Sequence, residues 1–465
     1  MNRLLAMKFG GTSMGNAERI RCAAQLSAEQ ARQRPTVVVV SAMAGVTDLL
    51  VDTLRKAEAG DEADLEQNLK KLAERHRATC EALTPKSWPA LESILAEFER
   101  IARGILMLGE RPPKSVDEAL AVGERLSSQL IADYCTASGL APAVAVNARD
   151  VVVTDAVFGN ASPLLEQTAE KARAVLLPHF EAGRLPFVTG FNGATIDGRP
   201  TTLGRGGSDF SASILAGVLD AEELWIWTDV DGIMSADPRL VPNARVLDEI
   251  TYAEAAELAY NGAKVLHPRT LAPLMEKGIP VWSKNSFAVD KPGTRIVPKS
   301  SSDGGKPRAV TSMTNVALVS LESASAVLNG TRVLARTVDA ISAAGSELLA
   351  LSSSSYQQNF CFLIRQSELP ATLERLEETF SLELAHGYLH PIDVDLDVGL
   401  LAVVGEGMKG TPGLAGRIFT AISRENVNVI AIAQGSSELT IAIVVSRDGL
   451  EKAVRAVHAE CGMGR

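Results

Sequence analysis

Lys8 and the glycines after it are the first residues in this sequence whose types and spacing could do chemistry. The stretch KFGGTSMGNAERI (residues 8–20) has glycines, hydroxyl groups and a lysine ahead of a segment that reads as a helix. The common nucleotide-binding signature puts its lysine just inside the helix, where this chain has Asn16. A lysine at a strand end, before Gly10 and Gly11, can instead follow a phosphoryl group through transfer as a compact, mobile charge. A glycine turn with a solvated lysine stays open as the alternative.

The turn around Gly10 and Gly11 offers further groups to an anion. Glycines let the backbone come close to a phosphate, and the N-terminus of the following helix adds backbone N–H groups. Thr12 and Ser13 supply hydroxyl groups. Together these features predict a phosphate site at the end of the first strand.

A second glycine-rich turn, TTLGRGGSDFSAS (residues 201–213), also opens a helical segment, and we expect Ser208 to cap that helix. The guanidinium of Arg205 can clamp a small carboxylate with two parallel hydrogen bonds. Asp209 can hold a lysine in place or receive an ammonium group. The alternative for Asp209, an ordinary first-turn aspartate that complements the helix dipole, stays open.

The segment LWIWTDVDGIMSADPR (residues 224–239) reads as a buried strand that ends at Thr228 and Asp229. Its Asp-x-Asp-Gly pattern does not fit a calcium loop. The glycine comes two positions early, and the twelfth position holds Leu240 where a glutamate is needed. Nucleotides bind at the carboxyl ends of parallel strands in open α/β sheets. We therefore predict that Thr228 and Asp229 contact a nucleotide.

Three shorter segments add polar side chains to this set. Ser41 and Thr47 lie just beyond another strand, Glu124 lies in AVGERLSS, and NGAKVLHP places Lys264 at a helix end. A buried glutamate is costly unless it is paired, and the α-ammonium group of a substrate would be such a partner. An exposed helix glutamate stays open as the alternative. The sequence shows no serine-hydrolase triad, HExxH motif or paired-cysteine site, so it favours neither a hydrolase nor a metalloenzyme.

Alternating strand-like and helical segments must position these side chains. The chain has 465 residues, of which 46% are hydrophobic, and is long enough for two or three domains. Residues 1–300 alternate apolar runs with amphipathic stretches, which is typical of an α/β sandwich on a mainly parallel sheet. The runs expected to form buried strands are LLAMKF, TVVVVSAM, PFVTGF and LWIWTDV. Between Ala57 and Leu130 the chain reads instead as consecutive helices, with a break at Pro112-Pro113.

An internal repeat follows a polar linker at residues 298–308. The segment 336–364 aligns without a gap on the segment 417–445, at a constant offset of 81 residues. Each copy reads as helix, strand, turn and strand, and another strand precedes it. Small βαββ units of this kind leave one sheet face apolar and bury it by pairing.

The charge and the cysteine content indicate which binding partners and which cellular compartment to expect. A net charge of −10 and a pI near 5.3 argue against nucleic acid or an anionic membrane as a partner. The five cysteines are scattered without CxxC spacing, which is typical of free thiols in a reducing compartment. No apolar run is long enough to span a membrane, and the stretch before Lys8 is too short for a signal-peptide core. We expect a cytoplasmic protein with neither a membrane nor a nucleic-acid partner.

Seven motifs, in order, resemble those of the aspartate kinases in the amino acid kinase family. They are KFGGTS (8–13), VVSAMAGVT (39–47), VGERLS (122–127), GRGGSD (204–209), TDVDGI (228–233), DPR (237–239) and GAKVLHP (262–268). KNSFAVDKPGTRI (284–296) is similar to the last strand and turn of that family. The tail from GMKGTPGLAGRIF to AQGSSE is similar to the ACT regulatory domains that such kinases carry in tandem.

The resemblance implies a fold and a reaction. The fold is a three-layer α/β/α catalytic domain at residues 1–300 and two ferredoxin-like βαββ ACT domains at residues 313–390 and 391–465. The reaction is transfer of the γ-phosphoryl group of ATP to a carboxylate of L-aspartate, which gives 4-phospho-L-aspartate, with Mg2+ bridging the ATP phosphates. The acceptor is already ionised, so catalysis consists of positioning and charge neutralisation.

The resemblance also implies roles for individual residues. Lys8 and Asp209 serve the reacting centre. The residues implied to hold aspartate are Ser41, Thr47, Glu124, Arg205 and Ser208. Among these, Glu124 would pair with the ammonium group and Arg205 with a carboxylate. The residues implied to contact ATP are Lys8, Gly10, Gly11, Thr228, Asp229, Arg239, Lys264 and Val265.

The two repeats differ where a regulatory effector is expected to bind. The second repeat keeps the Pro-Gly turn and the SSE sequence. Its candidate effector residues are Pro412, Gly413, Ser437 and Glu438. The first repeat has NGT at 329–331 and SYQ at 355–357 instead. A lysine effector, a threonine effector or none stays open. The apolar sheet faces and unpaired edges predict a homodimer or higher homo-oligomer held through the repeats.

Two other functions compete with an aspartate kinase. A kinase of the same superfamily for another acid, such as acetylglutamate, would have no use for Glu124, because an N-acylated substrate carries no ammonium group. A non-catalytic amino-acid sensor on the same fold would have no use for Lys8, Arg205 and Asp209. The presence of all four residues favours the kinase for aspartate.

Overall fold

The computed structural model of the chain describes residues 4–263, 265–300, 306–324, 328–354, 359–408, 410–435 and 439–464. The chain divides into two units. The first comprises residues 1–233, 248–252 and 266–300, and the second comprises residues 234–247, 253–265 and 301–465.

Apolar runs form the centre of a large sheet in the first unit. The strands of this unit are β1 (Leu5–Phe9), β2 (Thr36–Val40), β3 (Ala143–Val146), β4 (Val153–Thr154), β5 (Leu185–Thr189), β6 (Asn192–Thr195), β7 (Pro200–Thr202), β8 (Glu223–Thr228), β9 (Glu249–Thr251), β10 (Val281–Asn285) and β11 (Thr294–Val297). The described residues give an eight-stranded sheet of order β3-β5-β2-β1-β8-β10-β11-β9. Its pairs are parallel except for the β10–β11 hairpin. A smaller sheet contains β4, β6 and β7.

Both faces of the large sheet are covered at its centre. Every residue of β1 and β2 is buried, and successive side chains of a strand point to opposite faces. The helices up to residue 300 are α1 (Ala17–Ala31), α2 (Val46–Glu58), α3 (Glu62–Leu83), α4 (Trp88–Leu108), α5 (Pro113–Leu120), α6 (Val122–Ala137), α7 (Leu165–Glu181), α8 (Gly207–Val218), α9 (Tyr252–Tyr260) and α10 (Pro268–Met275). The run from α2 to α6 is the predicted helical stretch, with α5 starting at the predicted proline break. The α/β sandwich on a mainly parallel sheet is confirmed.

The second unit contains the repeats. Its further elements are β12 (Ala309–Met313), β13 (Val316–Leu321), α11 (Gly330–Ala343), β14 (Ala350–Ser354), β15 (Asn359–Arg365), α12 (Leu369–Thr379), α13 (Ser381–Ala385), β16 (Asp393–Asp395), β17 (Val398–Val404), α14 (Leu414–Arg424), β18 (Val429–Gln434), β19 (Thr440–Ser446) and α15 (Leu450–Glu460). The last strand of each copy confirms the register, because β15 and β19 have the same length and their ends differ by the offset of 81 residues seen in the sequence.

Each repeat forms an antiparallel sheet that takes one strand from outside the repeat pattern. The sheet orders are β14-β15-β13-β16 and β12-β17-β19-β18. β12 precedes the first repeat along the chain but pairs with β17 of the second. The apolar core of the second sheet also contains Ala236 and Val241, so the segment 234–247 packs as part of this unit.

Candidate active site

Lys8 and Asp209 form an ion pair at the carboxyl end of β1. Lys8 is the fourth residue of β1 and is 8% exposed. Asp209 is the third residue of α8, where the helix dipole favours a negative charge. The Lys8 Nζ lies 2.5 Å from the Asp209 Oδ1. One carboxylate therefore holds a mobile ammonium group between a strand end and the start of a helix.

The turn after β1 lies beside the lysine ammonium group. The Gly10 N–H donates to the Trp227 carbonyl oxygen at 3.2 Å, which fixes the turn against β8. A Cβ at Gly10 would lie 3.4 Å from the Lys8 Nζ, and a Cβ at Gly11 would lie 3.2 Å from the Ala42 carbonyl oxygen. A side chain at Gly10 would crowd the Lys8 ammonium group, and one at Gly11 would crowd the turn after β2.

The Ser13 hydroxyl group is hydrogen-bonded within the protein. Ser13 is 1% exposed, and its Oγ lies 2.8 Å from the Ser286 Oγ and 3.4 Å from the Trp227 carbonyl oxygen. The expectation that Ser13 offers its hydroxyl group to an anion is therefore wrong. Thr12 is exposed and free of this restriction.

Glu124 lies in the first turn of α6 and is 3% exposed. Burial raises the pKa of its carboxyl group to about 8, although a hydrogen bond from the Ala42 backbone and the Lys8 charge act in the opposite direction. Its Oε2 has no hydrogen-bond partner among the described residues. The alternative of an exposed helix glutamate is wrong. A cation that binds beside a buried carboxyl group with an unpartnered oxygen stabilises its carboxylate form.

The turn after β2 lies against α6 close to Glu124. Ser41 directly follows β2, and Thr47 is the second residue of α2; both are half-buried. A Cβ at Gly123 would lie 2.7 Å from the Ala42 Cβ, so α6 approaches this turn more closely than a side chain would allow. This close approach places two hydroxyl-bearing residues and the buried carboxyl group at one edge of the sheet.

The turn before α8 has a backbone that favours glycine. Gly204 and Gly206 have φ values of 76° and 69°, and a Cβ at Gly204 would lie 2.6 Å from the Asn160 Oδ1. Gly206 is the N-cap of α8, so the predicted capping role of Ser208 is wrong. Ser208 is the second residue of the helix instead. Arg205, between the two glycines, is exposed.

Arg269 holds this turn in place, and the sequence reasoning missed it. Its guanidinium donates to the Asn160 Oδ1 at 2.6 Å, to the Ala161 carbonyl oxygen at 2.7 Å and to the Leu203 carbonyl oxygen at 3.2 Å. It also lies over the Phe210 ring, 4.7 Å from the centroid. The partners are far away along the chain, so they leave no local pattern. The only signal is that Arg269 directly follows the GAKVLHP motif.

Thr228 and Asp229 lie at the same edge of the sheet as Gly10. β1 and β8 are parallel neighbours with Phe9 in register with Trp227, so the residues that follow the two strands are adjacent. The Thr228 Oγ1 donates to the Asp229 Oδ1 at 3.2 Å, and Asp229 is exposed. The turns after β1 and β8 therefore border one common space.

The other residues expected to contact ATP lie outside the first unit. Arg239 is exposed, and its guanidinium pairs with both carboxylate oxygens of Asp237 at 3.0 and 2.6 Å. Val265 is half-buried. Lys264 lies outside the described residues.

The candidate effector residues are described only in part. Gly413, with a φ of 80°, is the N-cap of α14. A cavity of about 280 Å³ lies beside this turn and is lined by Pro412 and Gln434, among others. Ser437 and Glu438 lie outside the described residues.

The side chains and backbone groups at this edge of the first unit suit anionic ligands. An ammonium group, two glycine turns and helix N-termini point to phosphates and carboxylates rather than to apolar ligands. Within the described ranges, no three His, Cys, Asp or Glu side chains are grouped so that they could hold a metal. None of the described helices is both long enough and apolar enough to cross a membrane.

Relatives match nearly the whole chain, and two family models match parts of it. The model of the amino acid kinase family matches residues 3–285, and an ACT domain model matches residues 401–461. The chain is 34% identical to the aspartokinase of Chlamydia trachomatis, covering 96% of this chain and 95% of that protein. It is 36% identical to the bifunctional aspartokinase/homoserine dehydrogenase 1 of Arabidopsis thaliana, covering 98% of this chain. The chain spans about half the length, 51%, of that bifunctional relative.

Two crystal structures of E. coli aspartokinase III are similar to this chain over their full length. The complex with aspartate and ADP (R-state) superposes with a TM-score of 0.84 at 29% identity, covering 98% of this chain and 99% of that one. The complex with lysine and aspartate (T-state) superposes with a TM-score of 0.80 at 30% identity, covering 99% of both chains.

Proposed function

Because this chain belongs to the amino acid kinase family, we propose that it transfers the γ-phosphoryl group of ATP to the side-chain carboxylate of L-aspartate. The product is 4-phospho-L-aspartate, the first intermediate on the route to the aspartate family of amino acids. The observation that carries the proposal is the ion pair of Lys8 with Asp209, at 2.5 Å, near the buried Glu124. These residues offer a mobile cation for a phosphoryl group and an unpartnered carboxyl oxygen for an ammonium group.

Aspartate is held by groups of opposite charge. Glu124 receives the α-ammonium group, which would lower its pKa from about 8 by favouring the carboxylate. The exposed guanidinium of Arg205 binds a carboxylate through two hydrogen bonds. Ser41, Thr47 and Ser208 surround these charges with hydroxyl groups.

ATP lies at the edge formed by the turns after β1 and β8. Lys8, Gly10 and Gly11 meet the phosphates, and Thr228 and Asp229 meet the rest of the nucleotide. The further residues assigned to ATP are Arg239, Lys264 and Val265.

Magnesium enters with the nucleotide. Mg2+ is ordinarily held by one or two carboxylates together with phosphate oxygens, so it needs no cage of side chains. The carboxylates of Asp209 and Asp229 fit that donor set. When bound, the ion neutralises charge on the phosphate oxygens.

The protein groups catalyse by position and charge. The aspartate side chain has an ordinary pKa of about 3.9, so the acceptor is ionised at neutral pH and no general base is needed. The Lys8 ammonium neutralises negative charge on the transferring group, and Asp209 keeps that ammonium in place. The Gly10-Gly11 turn carries no side chains, so its backbone allows the phosphates to come close.

An assay that traps acyl phosphates as hydroxamates tests the reaction. With ATP, Mg2+ and hydroxylamine, the purified protein should convert L-aspartate to its side-chain hydroxamate. N-acetyl-L-aspartate is the matched control, because it keeps both carboxylates and lacks the ammonium group that Glu124 pairs with. Absence of product from aspartate, or equal rates for both acids, would contradict the proposal.

We assign the control of this activity to the repeats. Residues 1–300 form the kinase domain, and residues 313–390 and 391–465 form two ACT domains. The sheet of the first also contains β16, and the sheet of the second also contains β12. Lysine or threonine is the effector, and the cavity of about 280 Å³ beside Pro412 and Gly413 is its site, with Ser437 and Glu438 as further contacts. The lysine complex of the E. coli relative supports an amino-acid effector. Calorimetric titration with lysine and with threonine tests this assignment. If neither amino acid gives a heat of binding, neither is an effector of this protein.

The assembly and the cellular compartment are also part of the proposal. We assign a cytoplasmic homodimer, or a higher homo-oligomer, held through the repeats. β18 is an edge strand that exposes Ile430 and Ile432, at 41% and 43%, and edges of this kind pair with other strands. The free cysteines fit a reducing compartment.

A further inference from the structure

The residue that follows β10 contacts both turns assigned to ATP. Ser286 is the first residue after β10 and is 5% exposed. Its N–H and its Oγ both donate to the Thr228 carbonyl oxygen, at 2.9 and 3.0 Å. The same Oγ lies 2.8 Å from the Ser13 Oγ. One side chain thus connects the turn after β1 with the end of β8.

The two serine hydroxyl groups use their protons within the protein. A serine hydroxyl group has one proton to donate. Either Ser286 donates to the Thr228 carbonyl oxygen and Ser13 donates to the Ser286 Oγ, or Ser286 donates to the Ser13 Oγ and Ser13 donates to the Trp227 carbonyl oxygen at 3.4 Å. Neither proton is left for a phosphate. The pair therefore acts inside the protein, between two backbone segments.

The same loop holds the turn after β8 at a second point. The Asn285 Nδ2 donates to the Asp231 Oδ1 at 2.6 Å, and the Lys291 ammonium pairs with the Asp231 Oδ2. The Asn285 Oδ1 accepts the Phe287 N–H at 2.8 Å, which fixes the orientation of the amide. The loop after β10 is thus attached to the end of β8 and to the residues just beyond it.

The loop also contacts the helix that follows the glycine turn. The Arg19 guanidinium of α1 lies over the Phe287 ring, 3.8 Å from its centroid. The turn after β1 and helix α1, which follows it, are therefore both held by the same loop.

We propose that Ser286 is a positioning residue for ATP. Through Ser13 and the Thr228 carbonyl group, it fixes the distance between the turn that meets the phosphates and the turn that meets the rest of the nucleotide. This inference rests on the proposed function, because it takes both turns as ATP contacts. Without Ser286, the nucleotide itself must order the two turns, and ordering costs binding free energy. Aspartate is held by other segments, so its binding affinity should not change when Ser286 is replaced.

Ser286→Ala tests the proposal through binding of Mg-ATP, measured by calorimetry, and through the KM values of both substrates. The Kd and KM for ATP should rise about three- to tenfold, the range for one lost neutral hydrogen bond. The KM for aspartate and kcat should stay within about twofold. Ser286→Thr keeps the hydroxyl group and should restore the affinity for ATP. Ser27→Ala is the matched control, because it removes a buried hydroxyl group that donates to the Ala23 carbonyl oxygen of its own helix, at 2.7 Å.

Ser13→Ala should weaken ATP binding by a similar factor. The double variant with Ser286→Ala should be no weaker than the weaker single variant, since both remove the same connection. Unchanged ATP affinity in Ser286→Ala would overturn the proposal. Equal losses for ATP and aspartate, together with a lower Tm, would overturn it too, because they would indicate a general structural role.

The result for the unmodified protein separates this inference from the proposed function. If it binds ATP but makes no acyl phosphate from aspartate, the proposed function fails, and the Kd for ATP in the serine variants still decides the role of Ser286. If it does not bind ATP at all, both are overturned.

Discussion

At the scale of single residues, Glu124 suits a cationic ligand group and Lys8 suits an anionic one. Glu124 is 3% exposed with an unpartnered Oε2 among the described residues, so its carboxylate form is disfavoured until a cation arrives. The Lys8 Nζ already lies 2.5 Å from the Asp209 Oδ1, so this ammonium group has a partner before a ligand binds. The ammonium site at Glu124 should therefore respond to pH near neutrality.

Aspartate binding should strengthen as pH rises towards the pKa of Glu124. Burial raises this pKa to about 8, so the free protein holds the group protonated at pH 7. Pairing with the substrate ammonium requires the carboxylate and releases a proton. The apparent Kd for aspartate should therefore fall by up to about tenfold per pH unit below pH 8 and level off above it. Calorimetry between about pH 6.5 and about pH 8.5 measures this.

Glu124→Gln should remove the pH dependence and weaken aspartate binding at the upper end of the range. Glu166→Gln is the matched control, because Glu166 is also a first-turn helix glutamate but is exposed. A pH dependence that survives in Glu124→Gln would show that another group titrates with aspartate.

At the scale of elements, the site depends on turns that are held by distant residues. The turn before α8 carries Arg205 and is tied to Arg269 through Asn160 and the Leu203 carbonyl group. The turns after β1 and β8 are tied to each other through Ser286. In each case a side chain from the part of the chain after residue 265 fixes a turn formed much earlier.

Arg269→Gln should raise the KM for aspartate about three- to tenfold with a smaller effect on ATP, because the Arg205 turn loses charge-assisted hydrogen bonds that hold it. Steady-state kinetics with each substrate varied in turn measures the split. Arg173→Gln is the control, since that guanidinium bonds to the Val218 carbonyl oxygen at the other end of α8. Parallel increases in both KM values would indicate that Arg269 only supports the fold.

Local patterns predicted the elements that contain the motifs. The TVVVV run became the fully buried strand β2, and the strands predicted in LLAMKF, PFVTGF and LWIWTDV are β1, β5 and β8. Short strands such as β3 and β9 were missed, because four or three residues give too little periodicity to recognise. The repeat register predicted β15 and β19. It could not assign β12 to the second sheet, because β12 pairs with β17, a strand far away along the chain.

The roles of individual side chains were harder to predict than the elements. Ser208 has the residue type of an N-cap, yet Gly206 takes that place because the turn needs a positive φ there. Ser13 lies in a motif that suggests phosphate binding, yet its hydroxyl group is used within the protein. Arg269 was missed because its partners are distant in sequence. What decides these roles is tertiary contact, which a local pattern does not contain.

At the scale of the whole molecule, the second unit includes more than the repeats. Ala236 and Val241 belong to the apolar core of the second sheet, so the segment that carries Arg239 is packed by residues beyond 300. Removing everything after Lys299 would strip that core from the segment. A point variant on an exposed edge is therefore a cleaner test of assembly than truncation.

Ile432→Lys should weaken the proposed homodimer, because it places a charge on the exposed side of the edge strand β18. Sedimentation velocity of the full chain should show a concentration-dependent shift from dimer to monomer. Leu382→Lys is the control, as Leu382 is 71% exposed on α13 in the same unit. If both variants sediment like the unmodified protein, the dimer is not built from β18.

The most direct test of the whole account is the turnover number of Lys8→Ala in the hydroxamate assay with saturating ATP and aspartate. Lys8 acts on the charge of the transferring phosphoryl group, so its loss should lower kcat by about two orders of magnitude or more. The circular dichroism spectrum should stay unchanged, because the ammonium is held at the end of β1 rather than in its apolar core. Lys70→Ala is the control, since that side chain is 75% exposed on α3. A folded Lys8→Ala protein with kcat near that of the unmodified protein would contradict the account.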